Sequence, residues 1–169
     1  ILTTSADEQD FLLNQKAALG LAELRDPEAV PALIKGLFMT GRGSNIFQEC
    51  RLALVRIGQP SVDPLVALLQ GKNQEIAAMA KQLEFDKYSP GVVTTKAAWV
   101  LGDLRSPKAV GPLLAALKQP AKGGEHTTIA IALGTIGSPD AVDALIALAK
   151  DAKTDPRLRL SATDALYLS

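Results

Sequence analysis

The sequence predicts an all-α protein, an α-solenoid built from antiparallel helix pairs. Three observations support this: apolar residues recur at helical spacing, tight turns carry proline, and the whole pattern repeats along the chain. Residues 97–117 show the unit, because one apolar run ends at Leu104 and a second begins at Ala109. Between them, Pro107 suits the first position of a helix and Ser106 can cap its free amides.

Three other segments, 17–37, 52–69 and 130–149, repeat this unit. In the second helices the aligned columns are Val30, Val62, Val110 and Val142; Leu33, Leu65, Leu113 and Leu145; and Ile34, Val66, Leu114 and Ile146. In the first helices Leu21, Leu54, Leu101 and Leu133 align, followed by Ala22, Val55, Gly102 and Gly134. Helical spacing places each set on one stripe. A pair of this size cannot bury its stripe alone, so we expect neighbouring pairs to stack.

The spacing of the units predicts one insertion. The equivalent residues Leu24, Ile57, Leu104 and Ile136 are separated by 33, 47 and 32 residues. We therefore predict repeats at about 5–38, 46–70, 92–118 and 125–150, a terminal helix at 155–168 and an insertion at about 71–91. Within the insertion, residues 75–83 have a helical pattern. Residues 40–45 are expected to form an exposed loop. The prediction is one domain over 1–169, taken from a longer chain.

The motif identifies a repeat class. The pattern Leu-Gly-x-Leu/Ile-x-x-Pro-x-Ala-Val-x-x-Leu-Ile/Leu, clearest at 101–114 and 133–146, resembles the short HEAT-like repeats of phycobilisome lyase subunits. Ala22 and Val55 replace the usual glycine in the first two copies. The period alone would also fit ankyrin or tetratricopeptide arrays, but their signature motifs are absent. The resemblance implies a HEAT/armadillo-like fold, and it constrains function weakly because such repeats serve many partners.

Composition argues against several kinds of partner. The 18 basic and 18 acidic residues give a net charge of zero, which provides no electrostatic basis for binding nucleic acid. No apolar run approaches the roughly 18 residues that a membrane span needs. We therefore expect neither a nucleic-acid partner nor membrane insertion. The compartment stays open between the cytoplasm and export after processing, since the chain starts at Ile1.

Catalytic and metal-binding constellations are not evident in the sequence. With one histidine and one cysteine, it offers no paired ligand motif, so we predict a protein without cofactor or enzymatic activity. His126 follows Glu125, whereas the di-iron HEAT-like deoxyhypusine hydroxylase uses repeated His-Glu pairs; we expect His126 simply to begin a helix. Cys50 aligns with small and apolar residues, which predicts a buried thiol. Trp99 aligns with Leu19, Leu52 and Ile131, and we expect that column in the core.

Two parts of the sequence, the second helices and the insertion, contain candidates for partner binding. In HEAT-like solenoids the second helices generally line the concave surface, so the resemblance implies a protein-binding face at Glu28, Lys35, Asp63, Lys108, Asp140 and Asp143. Its mixed charge suits a protein better than a polyanion. The insertion contributes Phe85 and Tyr88, which form either a recognition loop or an anchor that pins the insertion to the solenoid edge.

The function predicted from these features is a noncatalytic protein–protein interaction scaffold. One alternative is a subunit resembling the bilin (chromophore) lyases, which would need an apolar slot with basic residues beside it. We find no cluster of arginines to supply one. A less favoured alternative is nucleic-acid binding, as in HEAT-like DNA glycosylases, against which the neutral charge argues.

Overall fold

A computed structural model of the chain describes residues 8–41, 44–82, 89–121 and 124–169. The elements are α1 (Glu8–Leu24), α2 (Val30–Gly36), β1 (Thr40–Gly41), β2 (Ser44–Asn45), α3 (Phe47–Ile57), α4 (Val62–Leu69), α5 (Gln74–Gln82), α6 (Pro90–Asp103), α7 (Val110–Leu117), α8 (Glu125–Ile136), α9 (Pro139–Lys150) and α10 (Pro156–Ala165). Short 3₁₀ turns precede α2, α4 and α7. The predicted class, an all-α helical-repeat fold of the solenoid type, is confirmed.

The chain divides into two compact units, Ile1–Pro64 and Leu65–Ser169. The prediction of one domain over 1–169 stays a prediction. In the first unit α3 packs against both α1 and α2. Its core contains Leu33, Leu54 and Cys50, whose predicted burial is confirmed and which is not part of a disulfide.

The expected loop at 40–45 contains a short antiparallel ribbon instead of purely irregular chain. Thr40 pairs with Asn45, and Gly41 pairs with Ser44. The Asn45 side chain then accepts a hydrogen bond from the Phe47 amide at 3.1 Å, which satisfies a free donor at the start of α3. This contact links the ribbon directly to the next helix.

In the second unit the first helices of successive pairs pack side by side, with α8 in contact with both α6 and α10. Two glycines of the column that begins with Ala22 allow this close approach. A Cβ atom added to Gly102 would lie 2.9 Å from the Cα atom of Ala132, and one added to Gly134 would overlap the Ala165 carbonyl. The leucine columns Leu101, Leu113, Leu133 and Leu145 are completely buried in this unit.

The valine column is buried as predicted except at its last member. Val30, Val62 and Val110 are at most 5% exposed, but Val142 is half-buried. Ile146, on the same side of α9, is half-buried too. Partial burial is not confined to α9, since Val66 and Leu114, which align with Ile146, are half-buried as well.

The column containing Trp99 is exposed, so its expected core position is wrong. Leu19, Leu52, Trp99 and Ile131 are 42%, 42%, 46% and 43% exposed. Each precedes the aligned leucine of its helix by two residues, which rotates it by about 200° to the opposite face. Those leucines are buried at Leu54, Leu101 and Leu133 and half-buried at Leu21. The similar values show that every first helix presents one large apolar side chain outward at the same register.

The turn inside each pair uses a left-handed residue at an equivalent place. Arg25 (φ 52°), Gly58 (φ 81°), Arg105 (φ 50°) and Gly137 (φ 62°) follow α1, α3, α6 and α8. Left-handed backbone ends a helix and reverses the chain. The predicted cap by Ser106 is wrong, because its buried side chain makes no cap hydrogen bond. Asp26 and Ser138 do cap in the equivalent turns.

The insertion contains the additional helix that the pattern at 75–83 predicted, now α5. Gly71 (φ 68°) ends α4, and the Lys72 amide donates to the Ala67 carbonyl at 2.8 Å. Asn73 then accepts from the Ile76 amide at 2.9 Å and begins α5. The terminal helix α10 is also present. It starts where Asp155 caps the Arg157 amide at 2.9 Å, but it ends at Ala165 instead of Leu168.

One polar side chain in the first unit is buried without a hydrogen-bond partner among the described residues. Asn14 in α1 is 1% exposed, and neither its amide nitrogen nor its oxygen has a hydrogen-bond partner among the described residues. Leaving a buried amide unsatisfied costs on the order of 1–3 kcal/mol. Asn14 therefore lowers the stability of the unit that contains it.

We expect Gly134→Ala to reduce the free energy of unfolding by about 1–3 kcal/mol, because the added methyl group forces α10 away from α8. Gly111→Ala is the matched control, since a Cβ atom there meets nothing within 4 Å. It should stabilise α7 by about 0.5–1 kcal/mol through helix propensity. Urea unfolding measures both. Equal effects of the two substitutions would contradict the close approach of α8 and α10.

Arg105→Gly should stabilise the chain by about 0.5–1 kcal/mol, since glycine adopts positive φ without the cost that a side chain imposes. Gly137→Ala should lower stability by about 1–2 kcal/mol for the same reason. Thermal and urea unfolding of the two variants would show the opposite signs. A stabilising Gly137→Ala would mean that this turn is not left-handed.

Replacement of Asn14 by leucine should raise the free energy of unfolding by about 1–2 kcal/mol, because it removes two unsatisfied polar atoms at similar volume. Asn14→Asp is the informative contrast and should destabilise the chain strongly, since it buries a charge. A leucine variant less stable than the parent would show that the amide has a partner in solution.

Candidate functional site

All six predicted partner-binding residues lie in second helices or in the 3₁₀ turns before them: Glu28, Lys35, Asp63, Lys108, Asp140 and Asp143. Five are exposed, and Lys35 is half-buried. Lys108, Asp140 and Asp143 belong to the second unit, in which α7 contacts α9. Their role in binding a partner stays a prediction. The other predicted positions, Phe85 and Tyr88, lie outside the described residues.

The second unit contains a cleft of about 910 Å³ that none of these six residues lines. Its walls come from five places: the end of α4, the outer helix α5, the start of α6, the face of α7 and the start of α8. We call this the α5 cleft. It lies where the repeat spacing lengthens to 47 residues, because the insertion supplies α5 as an extra wall.

Small side chains keep the α5 cleft open. Ala77 and Ala80 face it from α5, and Ala115 and Ala116 face it from α7. In the first unit, the residue that follows the second-helix stripe is Phe38, which is 1% exposed. The aligned residues in the next two copies, Gln70 and Lys118, are exposed and fill no interior space.

The side chains of the cleft floor are apolar and buried, whereas few side chains of the α5 wall are buried. Leu68, Val93 and Ile129 are buried beneath it, each at most 9% exposed. Among the α5 side chains that the structure describes, Ile76 alone is buried, at 4% exposed. Ile76 therefore anchors α5, while Ala80 and Lys81 remain in contact with solvent.

Polar groups surround the apolar floor. The His126 ring nitrogen Nε2 bonds to the Gln119 carbonyl at 2.9 Å, which ties the start of α8 to the chain after α7. The predicted place of His126 at the start of a helix is confirmed, although it is half-buried. The Glu125 carboxylate lies against Gly91, where any Cβ atom would collide with it. Negative charge is favoured there, because Gly91 is in the first turn of α6.

The charge of the walls is low. Lys81 is the only lysine or arginine among the described residues that line the cleft, and Glu125 is the only carboxylate. Gln70, Asn73 and Gln119 add amide groups. Such amides can donate and accept hydrogen bonds, as a polypeptide backbone requires. The cleft thus combines an apolar floor with neutral polar edges.

Neither a metal cluster nor a single membrane span is found in the part of the chain that the structure describes. There, no group of three or more His, Cys, Asp or Glu residues is placed to hold a metal ion. No single described helix is long and apolar enough to cross a membrane, although one bent pair of helices, Phe47–Ile57 with Gln59–Lys81, passes that test by length and composition.

Sequence reasoning did not identify the α5 cleft. Ala115 is a small residue within the second apolar run of its repeat, and nothing in the sequence marks it as part of a cavity. The available signals were the long spacing before Leu104 and the alanines of residues 76–80. Neither signal shows that five separate segments converge.

Comparison with protein families supports the repeat assignment. Residues 87–167 match the model described as HEAT repeats, and residues 15–38 match the model described as PBS lyase HEAT-like repeat. The two matches fall in different units of the chain. No curated protein matches the sequence at a significant level.

Proposed function

We propose that this chain, which belongs to the HEAT-like repeat family, is a noncatalytic scaffold that binds a segment of a partner protein in the α5 cleft. HEAT repeats commonly mediate protein interactions. The observation that carries the proposal is the cleft itself, about 910 Å³ in volume with alanine walls. Its volume falls in the range of pockets that enclose several side chains or a small ligand.

The chemistry of the walls favours a peptide of low charge. Burial of apolar side chains on Leu68, Val93 and Ile129 supplies the hydrophobic term. The side-chain amides of Gln70 and Gln119 at the edges can pair with the backbone of the bound segment, so its polar groups need not stay unsatisfied. The alanines on α5 and α7 leave room for the larger side chains of the partner.

The six predicted partner-binding residues of the second helices, which we call the second-helix face, are a second proposed contact surface for the same function. Ala115 belongs to α7 and lines the cleft, and Lys108 lies in the turn that begins this helix. A partner seated in the cleft could therefore extend along α7 towards Lys108. Variants of the two surfaces separate these contributions.

A bilin-lyase-like role is the competing proposal. A tetrapyrrole carries propionate groups, which are best held by arginine or lysine. Among the described lining residues, Lys81 alone could serve, and no arginine is present. Adding bilin to the chain tests this directly, because binding would shift the absorbance of the pigment to longer wavelength.

The experiment selects peptides against the whole chain from a displayed random library and measures their affinity by fluorescence polarisation. Ala115→Glu and Ala80→Glu, both at exposed positions in the cleft wall, should raise Kd at least about tenfold by blocking it with charge. The matched controls are Ala147→Glu, which is aligned with Ala115, and Ala78→Glu on α5. Both positions are exposed outside the lining, and both variants should change Kd less than about twofold.

Two results would contradict the proposal. Unchanged affinity in both wall variants, with a loss in Asp63→Lys/Asp143→Lys, would move the site to the second-helix face. A bilin complex that the same wall variants abolish would replace the peptide with a chromophore.

A further inference from the structure

A surface outside the α5 cleft carries an inference beyond the proposed function. In the second unit, α6, α8 and α10 form one layer, and its outward side presents Trp99, Ile131 and Leu160 at 46%, 43% and 63% exposed. We call this the first-helix face. Apolar side chains of this size grouped on one surface and rimmed by polar residues are typical of interaction sites.

Three contacts establish that the face is continuous. Gly102 lies against Ala132 and Gly134 against Ala165, so the three helices are as close as their backbones allow. On the outer side, the Ser161 hydroxyl bonds to the Thr127 hydroxyl at 3.1 Å and bridges α10 to α8. The apolar side chains of neighbouring helices therefore belong to one surface and are not separate projections.

Charge is distributed unequally along the helices of this face. Lys96 on α6 and Arg157 on α10 lie towards the N-terminal ends. Asp103 and Asp164 lie seven residues further along the same helices. Since seven residues are about two helical turns, each acid shares the outward side with its base. On α6 and α10, the outer two helices of the face, the outward side thus has a base near its start and an acid near its end, with the apolar residues between them.

We infer that the first-helix face binds a second copy of this chain, with the helices of the two copies antiparallel. A two-fold axis that reverses the helices places the basic end of each copy on the acidic end of the other, while the apolar middles meet. A parallel arrangement would bring like charges together, which is unfavourable. The balance of charge also gives a polyanionic surface no preference for this face.

The first unit has an outward column of its own. Leu19 and Leu52 are each 42% exposed there. The neighbouring charges are joined within the unit, because Arg56 forms an ion pair with Glu23 and Gln15 bonds to Glu49. Leu52 is therefore a control position with similar exposure and no place in the proposed contact.

The test is sedimentation equilibrium of the whole chain, with circular dichroism to confirm that each variant is folded. The parent should form a dimer with a Kd of about 1–100 µM, typical of a small interface. Trp99→Asp should raise this Kd at least about thirtyfold, because a charge replaces the central apolar residue. Leu52→Asp should leave it within about twofold.

Charge-reversal variants test whether the helices of the two copies are antiparallel. In the antiparallel dimer Arg157 meets the Asp164 of the other copy, so Arg157→Glu and Asp164→Arg should each raise Kd about three- to tenfold. An equal mixture of these two variants should recover the parent affinity, since every facing pair is again opposite in charge. The double variant Arg157→Glu/Asp164→Arg should recover it as well.

Several results would overturn the inference. These are a chain that stays monomeric up to millimolar concentration, a dimer that Trp99→Asp leaves intact, and single charge variants that the mixture does not rescue. Flotation of the monomer with neutral lipid vesicles, lost in Trp99→Asp, would assign the face to a membrane and would equally reject a second copy.

Discussion

The close packing of neighbouring helix pairs is the constraint on which the second unit depends. A single pair has too little apolar surface to be stable alone, so each stripe must be covered by the next pair. Gly102 and Gly134 permit this, since each brings its helix against the backbone of the following first helix. The buried leucines Leu101 and Leu133 then fill the space behind that contact. Stability in this arrangement comes from neighbours and not from isolated helices.

Most of the fold could be predicted from the sequence, because repetition reports which positions share an environment. Helix starts at Asp155 and Asn73 and the extra helix α5 follow from local chemistry. Alignment alone could not decide whether a shared column is buried. Large apolar residues recur at the position of Trp99 just as they do at the position of Leu101. The Trp99 column nevertheless lies on the opposite side of each helix and is exposed.

The cleft was beyond sequence reasoning because it depends on the convergence of five segments. Alanine at residue 115 is an ordinary helix residue, and it borders a cavity only because α5 stands opposite it. The two proposed binding surfaces, the α5 cleft and the first-helix face, use different side chains of the second unit. The cleft is lined by small side chains of α5 and α7 together with the starts of α6 and α8, and the first-helix face uses the large outward side chains of α6, α8 and α10. Binding a partner and joining two copies are therefore compatible.

The most direct test of neighbour-dependent stability is amide hydrogen exchange after removal of α10, in a chain that ends at Thr154. Without α10, the contact between Gly134 and Ala165 is lost and the flank of α8 is open to solvent. We expect the amides of α8 to exchange at least about tenfold faster, while those of α3 in the other unit keep their protection. Unchanged protection of α8 would show that a helix pair is stable without its neighbour, which would contradict neighbour-dependent stability.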